Sequence, residues 1–523
     1  MAWAMTLQAI GDVLTLMELP MPVPDAHEVD VKNSAFGGCS TGRLSRWGGA
    51  LIAGLVLFGC GGSGGGEGSS PIGSTITNSI GPIAITEFSL SDRTDSTFTL
   101  ALTSNIAGTG YLLTLAHSAP VPTASSIQTN GIPVSLSAGI PASAKISGLH
   151  PSYSYVIYVL AKDSHGSEQT TIQSMSAQTG RDPLKWPFET ASIWNMPIGS
   201  GAQYVPANLA ANPTGGSGAP AVDDERIVMK PTAPLTAINY SSAAWTGANR
   251  CSATGGTLVN LPIPTNYVVP NGIDNSSASF LAADGRTIIQ SQPFTRCTAG
   301  GPATSLLTFP AVDLYGDGIR GSHGGSGLSA IGGSIRVGEL RPGQQGMQHA
   351  IKINVGAPSL YACTTQATCY RWPANTADSY WSTRYGRGTG ANNTNAAMKM
   401  GALLGIPATV NIANLGLETE PGKQLAWTLQ NYGAYIVDTY KSGPAYAFNA
   451  ENGPDGSLRA QFKADWGYDF EQRAGDASGA ALPWTRDIQK LIQAVYVVDN
   501  NALGSVGGGG APRQPLAVRL DGP

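Results

Sequence analysis

"GLHPSYSYVIYVLAKDSHGSEQ", from Gly148 to Gln169, is a run of aromatic and β-branched residues between two groups of turn-forming residues. Three earlier stretches, "AITEFSLSD", "TFTLALTS" and "GYLLTLAH", alternate apolar and polar residues with a period of two. Turn residues separate these stretches about every ten positions, which is typical of a sandwich of short antiparallel strands. The sequence from about Ile83 to Thr179 therefore predicts a β-sandwich.

The corner before the longest of these strands carries a recognisable pattern. Leu149, Pro151 and Tyr155, followed by alternating Val, Tyr and Ala, resemble the E–F corner of a fibronectin type III domain. The resemblance implies a fibronectin type III-like domain over residues 82–179, whose tyrosine hydroxyl ties the corner to nearby backbone. Such a module serves either as a spacer, the interpretation we favour, or as an accessory that contacts glycans.

Composition limits the partners of the chain. It has 523 residues, 67 of them Gly and 35 Pro, with 12% charged residues and a net charge of −4. That length predicts two or three domains, and the turn-rich, weakly charged composition is typical of an exported β-rich protein. A nucleic-acid partner would require a basic face, so we expect no nucleic acid, and no motif calls for a cofactor.

A basic and then apolar segment follows the first forty or so residues of the chain. "RLSRWGGALIAGLVLFGC", Arg43 to Cys60, has a basic lead and an apolar run too short to span a bilayer comfortably. Residues 43–60 resemble a bacterial lipoprotein signal, which implies a lipid anchor on Cys60 in the cell envelope. The Gly/Ser-rich residues 61–81 would then be a flexible linker. An ordinary cleaved signal, with the protein released outside the cell, or a buried apolar segment is the alternative.

The residues before this signal belong to a different pattern. Residues 6–42 resemble the opening of zinc-dependent alcohol dehydrogenases, with Cys39 at the position of a zinc ligand. The remaining ligands and a G-x-G-x-x-G motif do not follow, so we interpret residues 1–42 as a gene-fusion remnant or a start-site error and expect no zinc.

The cysteines after residue 200 predict two local disulfides. Cys363 and Cys369 lie six positions apart, and Cys251 and Cys297 flank a stretch of predicted strands. Because no pair has the Cys-x-x-Cys spacing of a zinc site, we expect the pairs 251–297 and 363–369 and an oxidising compartment. "DLYGDG", 313–318, lacks the trailing glutamate of a calcium loop and reads as a turn, so no metal is expected.

Residues 180–523 predict the main functional domain. Strands dominate to about residue 360, among them "RIVMKP", "TIIQSQPF", "GSIRVGEL" and "HAIKINVG". Helical spacing then appears in "NAAMKMGALLGI", "EPGKQLAWTLQNYGAYIV", "GSLRAQFKADWG" and "PWTRDIQKLIQAVYVV". The fold class expected is mainly β with α+β character: a fibronectin type III-like sandwich followed by a large antiparallel β domain with C-terminal helices.

Candidate catalytic residues surround the glycine-rich stretch "YGDGIRGSHGGSGLSAIGGSIRVGEL", 315–340. If "IRVGEL" and "MQHAIKINV" form a hairpin, Glu339 and His349 can share a surface, while Asp317 and His323 enter from the glycine loop. The alternative is a tight backbone crossing in which these side chains are only structural. A serine-hydrolase elbow, a phosphate-binding loop and an H-E-x-x-H motif are all absent from the sequence of residues 180–523.

Further candidates lie elsewhere in the domain. Asp438 ends an apolar run, which predicts a carboxylate either buried and paired or at the mouth of a site. Trp194 and Trp372 are candidate platforms for sugar rings, although a hydrophobic plug at a domain junction is the commoner use of an aromatic segment such as that around Trp194. Arg336 and Arg371 are candidates for neutralising an acidic sugar.

Four segments of the main domain carry a second resemblance. "SIWNMPIGSGA", "GGSGLSAIGGSIRVGEL" with "MQHAIKINV", "YRWPANTAD" and "LQNYGAYIVD" are similar to a family of secreted bacterial proteins for which we know no mechanism. Some members are joined to sugar-binding modules, which implies contact with an extracellular polysaccharide.

We therefore expect an enzyme acting on an extracellular polysaccharide. The simplest form is a glycoside hydrolase that uses two carboxyl groups among Glu339, Asp438 and Asp317, with His349 or His323 in support. The competing hypothesis is a non-catalytic glycan-binding or structural lipoprotein, and a polysaccharide lyase is a further alternative.

Overall fold

The structure is a computed structural model. It describes residues 81–117, 119–149, 153–210, 220–246, 249–272, 274–387, 393–440, 446–471 and 482–520. The dehydrogenase-like remnant, the signal segment with Cys60 and nearly all of the linker lie outside the described residues. All of the described residues fall within one compact unit, Asn78–Pro523.

The first part of the described chain is a seven-stranded sandwich. Its strands and helix are β1 Ile85–Arg93, β2 Phe98–Ser104, β3 Gly108–Ala116, α1 Ala124–Asn130, β4 Ile132–Leu136, β5 Ala142–Ile146, β6 Ser154–Asp163 and β7 Gln173–Gln178. One sheet has the order β1-β2-β5 and the other β4-β3-β6-β7, all antiparallel. Alternate residues such as Phe98, Leu100 and Ile157 face inward and form the core between the sheets.

The later part contains shorter strands and most of the helices. The strands are β8 Tyr204–Pro206, β9 Ala221–Val228, β10 Leu235–Tyr240, β11 Thr257–Pro262, β12 Ala278–Leu281, β13 Thr287–Gln292, β14 Ala303–Ser305, β15 Leu307–Thr308, β16 Val312–Asp313, β17 Arg320–His323, β18 Ile351–Val355, β19 Leu403–Gly405, β20 Ala434–Thr439, β21 Tyr446–Gly453, β22 Gly456–Ser457 and β23 Tyr496–Val498. The helices are α2 Trp381–Arg384, α3 Glu420–Asn431, α4 Leu458–Trp466 and α5 Pro483–Ala494.

A twelve-stranded sheet organises this part of the described chain. Its central order is β15-β13-β12-β9-β21-β18-β20-β19-β23-β8. The expected mainly β class is confirmed, but the sheet is mixed and not antiparallel throughout. β9 pairs in parallel with both β12 and β21, and β18 pairs in parallel with β20, because long connections separate these strands along the chain.

The two faces of the sheet differ in chemistry because side chains alternate along each strand. One face carries apolar residues such as Ile353, Ile436 and Phe448, which pack against Leu425 of α3 and Ile488 of α5 in a large core. The opposite face of the same central strands carries polar and ionisable side chains. A loop containing the glycine-rich stretch lies across that second face.

Three helix predictions are confirmed. The segments around α3, α4 and α5 are helical, and α3 begins with Thr419 as N-cap and Pro421 in its first turn. The predictions extended α3 and α5 too far, because "AYIV" and "YVV" belong to β20 and β23.

Two other secondary-structure predictions were wrong. "NAAMKMGALLGI" is not helical and ends in the short strand β19. "IRVGEL" is a turn region in which only Ile335 bridges to Ala450, so the predicted hairpin with β18 does not form. The buried backbone of Ile335 pairs instead with β21, since Ile335 donates to Asn449 and Glu451 donates to Ile335.

Both predicted disulfides are present, Cys251–Cys297 and Cys363–Cys369, and they suit an oxidising compartment. Within the described ranges, no helix has the length and apolar character needed to cross a bilayer.

Candidate functional site

The second face of the central strands forms a continuous band of polar side chains, here called the polar strip. It consists of Asp223 and Glu225 on β9, Lys352 and Asn354 on β18, Asp438 on β20, and Asn449 and Glu451 on β21. Six of these seven residues are buried, and Asp223 is partly exposed. A band of buried ionisable groups is costly unless its members pair, so such a band marks a candidate functional site.

A bulge turns Asp438 onto this face. The register between β18 and β20 shifts between Ile353 and Asn354, so that Asn354 lies opposite Asp438 and not opposite Val437. An extra residue in one strand re-aims the side chains that follow it. Asp438 therefore faces the polar strip, while Ile436 faces the apolar core.

The glycine run passes directly over two carboxyl groups. A Cβ atom on Gly324 would overlap the Asp438 carboxylate, and one on Gly325 would lie 2.6 Å from Oδ2 of Asp378. The glycines are therefore required for close approach of the backbone to these groups. Because consecutive Cα atoms are about 3.8 Å apart, the two carboxyl groups lie within roughly 10 Å of each other.

Asp438 is held by three donors and is almost fully buried. Its Oδ1 accepts from the backbone N–H of Thr439 at 2.7 Å and of Gly325 at 3.3 Å, and its Oδ2 accepts from Nδ2 of Asn275 at 3.2 Å. Burial and then the neighbouring Asp378 carboxylate raise the pKa of Asp438 to about 7. Asp438 thus keeps its proton at pH values at which an ordinary aspartate is ionised.

Asp378 is the more accessible member of the pair. Its Oδ2 accepts from the hydroxyl of Tyr385 at 2.6 Å and of Thr439 at 3.3 Å. Tyr380 joins the group through a 2.7 Å hydrogen bond between its hydroxyl and that of Thr439. Burial raises the pKa of Asp378, although the residue keeps part of its surface exposed.

His323 and Lys352 supply the cationic side of the strip. Nε2 of His323 lies 3.0 Å from Oε1 of Glu225, and Nζ of Lys352 lies 2.9 Å from the same atom. Burial lowers the pKa of His323, but the Glu225 and Asp438 carboxylates together outweigh this effect, so the pKa lies above its ordinary value. Burial lowers the pKa of Lys352. Nδ1 of His323 is buried 3.8 Å from Oδ2 of Asp438 and makes no hydrogen bond within the described residues.

A second group of candidates lies toward the other end of the strip. Nε2 of His349 lies 2.9 Å from Oε1 of Glu339, and Nδ1 lies 2.9 Å from the carbonyl oxygen of Ala350. Burial lowers the pKa of His349, and the adjacent Glu339 carboxylate and Ala350 carbonyl together more than compensate, so the pKa is raised. The Glu339 side chain is 24% exposed, and it lines a hollow of about 370 Å³.

The structure therefore divides the predicted residues between two groups. Asp438 and His323 come together, and so do Glu339 and His349. Ile351, where β18 begins, lies three residues before Asn354, the partner of Asp438, which corresponds to about 10 Å of strand. His349 precedes β18, so the two groups occupy opposite ends of the polar strip.

Several predicted residues have structural roles instead. Asp317 is exposed and accepts from the backbone N–H of Ile319 at 3.0 Å, as expected for a turn. Arg371 pairs with Asp499 at 2.9 Å, and Arg336 pairs with Glu451 at 2.9 Å while donating to two backbone carbonyls. Both guanidinium groups therefore already have partners within the protein, whereas an acidic sugar would need them to neutralise its carboxylate.

Of the two interpretations of Trp194, the structure supports the hydrophobic plug. Trp194 is 2% exposed and donates to the carbonyl of Gly318 at 2.8 Å, so it is a plug in the core and not a sugar platform. Trp372 is half-buried against the same core. Trp186 remains partly exposed, with its ring 6.4 Å from that of His349.

Sequence reasoning missed Asp223, Glu225, Lys352 and Asp378. Lys352 and Asn354 alternate with apolar residues in "IKINV", which is the signal of a polar face in a buried sheet, whereas Asp223 and Glu225 lie in the charged run "DDER" of "AVDDERIV", which shows no such alternation. Within the described part of the chain, no three His, Cys, Asp or Glu side chains converge as ligands of a metal ion.

Comparison with known proteins finds structural similarity over only a small part of the chain. The chain matches no protein-family model and no curated protein sequence. Among solved structures, it is similar to a computationally redesigned β-sandwich protein at 16% identity, covering 18% of this chain and 94% of that one with a TM-score of 0.15. It is also similar to the fibronectin type III domain of human fibronectin type III domain containing protein 3, at 16% identity, 23% and 94% coverage and a TM-score of 0.14.

Proposed function

We propose that the domain after the sandwich hydrolyses glycosidic bonds of an extracellular polysaccharide, with Asp438 and Asp378 as its carboxyl pair. The observation that carries this proposal is that both groups face consecutive glycines of one loop, within roughly 10 Å of each other. That spacing includes the separations used by both retaining and inverting glycosidases.

The different environments of the two groups support distinct roles. Asp438, whose pKa is raised to about 7, donates its proton to the oxygen of the leaving sugar once the exposed Gly324 backbone that covers its carboxyl group moves aside. Asp378, which is partly exposed, either takes a proton from the attacking water or attacks the anomeric carbon itself. Asn275 and Thr439 orient the Asp438 carboxyl group, and Tyr385 orients Asp378.

Reducing-sugar release from a panel of plant, algal and bacterial polysaccharides tests the proposal. Asp438→Asn and Asp378→Asn should each lose at least about 100-fold in rate, the range typical of a lost acid or base. Asp469→Asn, which alters a carboxylate 59% exposed and paired with Lys463, is the matched control and should keep the natural rate. Thermal unfolding of each variant separates lost chemistry from lost folding.

The other candidates predict different results. Loss of activity in Glu339→Gln with full activity in Asp438→Asn would move the chemistry to the Glu339–His349 pair. Absence of release from every polysaccharide of the panel would favour the non-catalytic alternative. A lyase is less well supported, because Arg336 and Arg371 are both engaged in ion pairs.

We also propose export to the cell envelope with a lipid on Cys60. The two disulfides support an oxidising compartment, and residues 43–60 support a lipoprotein signal. In a bacterial host, the full chain should incorporate radiolabelled palmitate, and Cys60→Ala should not. Labelling of the variant would contradict the anchor.

A further inference from the structure

A trench runs between the sandwich and the main domain. On the sandwich side it is lined by Tyr153 and Tyr155 of the β6 region and Gln178 of β7; on the other side it is lined by Gln345, Gln348 and Trp427. This set of six residues defines the junction trench. A hollow of about 420 Å³ forms its larger part. The hollow of about 370 Å³ beside Glu339 continues it, because both hollows are lined by Tyr153, Tyr155, Gln345 and Gln348.

The lining of the larger hollow has a consistent chemistry. Glutamine amides provide donors and acceptors side by side, as vicinal sugar hydroxyls require. Tyrosine and tryptophan rings add apolar faces with polar edges. The described residues that line the larger hollow include His117 but neither carboxylates nor Lys or Arg, whereas Lys185, Arg336 and Glu339 line the smaller hollow. The larger hollow therefore suits a polar but uncharged ligand.

Size and exposure are also suitable for such a ligand. Each hollow falls within the range of about 300–1,000 Å³ that is usual for small-molecule sites, so a few sugar units fit in each. Gln345 is exposed, and Gln348 and Trp427 are partly exposed, so these side chains are reachable from solvent. The shared lining gives an elongated site and not a single pocket.

We propose that the junction trench binds a segment of an uncharged polysaccharide, at a site separate from the Asp438–Asp378 pair. The glutamines bond the hydroxyl groups of the chain, and Trp427 contacts a ring face. Glu339, at the smaller hollow, accepts a hydrogen bond from a further hydroxyl. The sandwich then contributes Tyr153 and Gln178 to binding and does more than act as a spacer. Binding in the trench does not depend on cleavage.

Affinity electrophoresis of the full chain tests this proposal. Gels containing galactomannan, xyloglucan or mixed-linkage β-glucan provide uncharged probes, and gels containing alginate or polygalacturonate provide anionic ones. We expect retardation by at least one uncharged probe. Combining Gln345→Ala with Gln348→Ala should weaken that binding at least tenfold, as should Trp427→Ala.

Control variants show whether the binding occurs in the junction trench. Trp245, which is 45% exposed and not among the lining residues, supplies the control Trp245→Ala, which should bind normally. Asp438→Asn should also bind normally, so failure of catalysis and failure of the trench are distinguishable. Because Trp427 also packs partly against the core, the glutamine variant decides if Trp427→Ala does not fold. Retardation by no uncharged probe, by anionic probes only, or without change in the glutamine variant overturns the proposal.

Discussion

Among single residues, Asp438 has neighbours with opposing effects on its pKa. Two backbone N–H groups and the Asn275 amide favour its charged form, whereas burial and the nearby Asp378 favour the neutral form. Burial and the like charge prevail, and the pKa rises to about 7. The same residue is consequently suited to donate a proton and costly to ionise.

This cost should appear in the pH dependence of stability. Between about pH 4 and about pH 7 the unfolded chain has lost the Asp438 proton while the folded chain keeps it. The stability contributed by Asp438 is therefore present below about pH 4 and is lost as the pH rises through about 7. Asparagine has a similar shape and no such proton. We expect the free energy of unfolding of Asp438→Asn, relative to the natural chain, to rise over this interval in urea titrations. A constant difference would contradict the assignment.

Gly324 is the residue on which the loop crossing depends. A methyl group at this position would overlap the Asp438 carboxylate, so the loop or the carboxyl group must shift. We expect Gly324→Ala to cost about 1–3 kcal/mol in the free energy of unfolding, the usual range for overpacking, and to reduce any hydrolytic activity. Gly256→Ala is the control, because a Cβ at Gly256 has no neighbour within 4 Å. Equal stability losses for the two variants would refute the crowding argument.

At the scale of elements, four adjacent strands carry both the core and the candidate site. β9, β21, β18 and β20 present apolar side chains to the helices on one face and the polar strip on the other. A one-residue slip of any of these strands would exchange the faces, so the buried ion pairs and the core specify the register together.

The cost of replacing Lys352 within this strip should depend strongly on whether Glu225 is still present. Both side chains are at most 1% exposed, so removing Lys352 takes away one of the two cationic partners of a buried carboxylate and leaves only His323 beside it. We expect Lys352→Met to cost about 3–5 kcal/mol, with much of the loss recovered when Glu225→Leu is added. Lys463→Met removes an exposed pair with Asp469 and should cost less than about 1 kcal/mol. Chemical denaturation of the three variants measures these losses, and a small effect of Lys352→Met would show that the pair is dispensable.

The same strands explain which parts of the architecture could be predicted from sequence. Local periodicity was sufficient for the sandwich strands and for α3, α4 and α5, because an amphipathic pattern reports the buried face directly. It failed for Ile335, whose backbone pairs with Ala450, a residue more than a hundred positions away. It also could not bring Asp378 to Asp438, because that contact depends on a bulge in β20 and on the path of a glycine loop. Pairing between distant segments leaves no periodic signal in either segment.

In the molecule as a whole, the sandwich and the later domain have separate hydrophobic cores, and different spectroscopic signals follow their unfolding. The sandwich packs around its own apolar cluster, and residues 81–179 include no tryptophan. The later domain buries Trp194 and Trp484. Tryptophan fluorescence during unfolding therefore follows chiefly the domain that holds both disulfides, whereas circular dichroism follows both parts.

Because both disulfides lie in the domain that tryptophan fluorescence follows, one signal measures the effect of removing either disulfide. Cross-links stabilise mainly by restricting the unfolded chain, and the effect grows with the length of the loop they close. The Cys251–Cys297 bond joins residues 46 apart and the Cys363–Cys369 bond joins residues 6 apart. We expect the double change Cys251→Ala with Cys297→Ala to cost about 4 kcal/mol, and Cys363→Ala with Cys369→Ala about 2 kcal/mol.

Urea titrations followed by tryptophan fluorescence measure both losses. Each double variant also serves as the control for the other, because both replace two cysteines by alanine. If the shorter loop proved the more stabilising, packing around Cys363 and Cys369, both 1% exposed, would outweigh chain entropy.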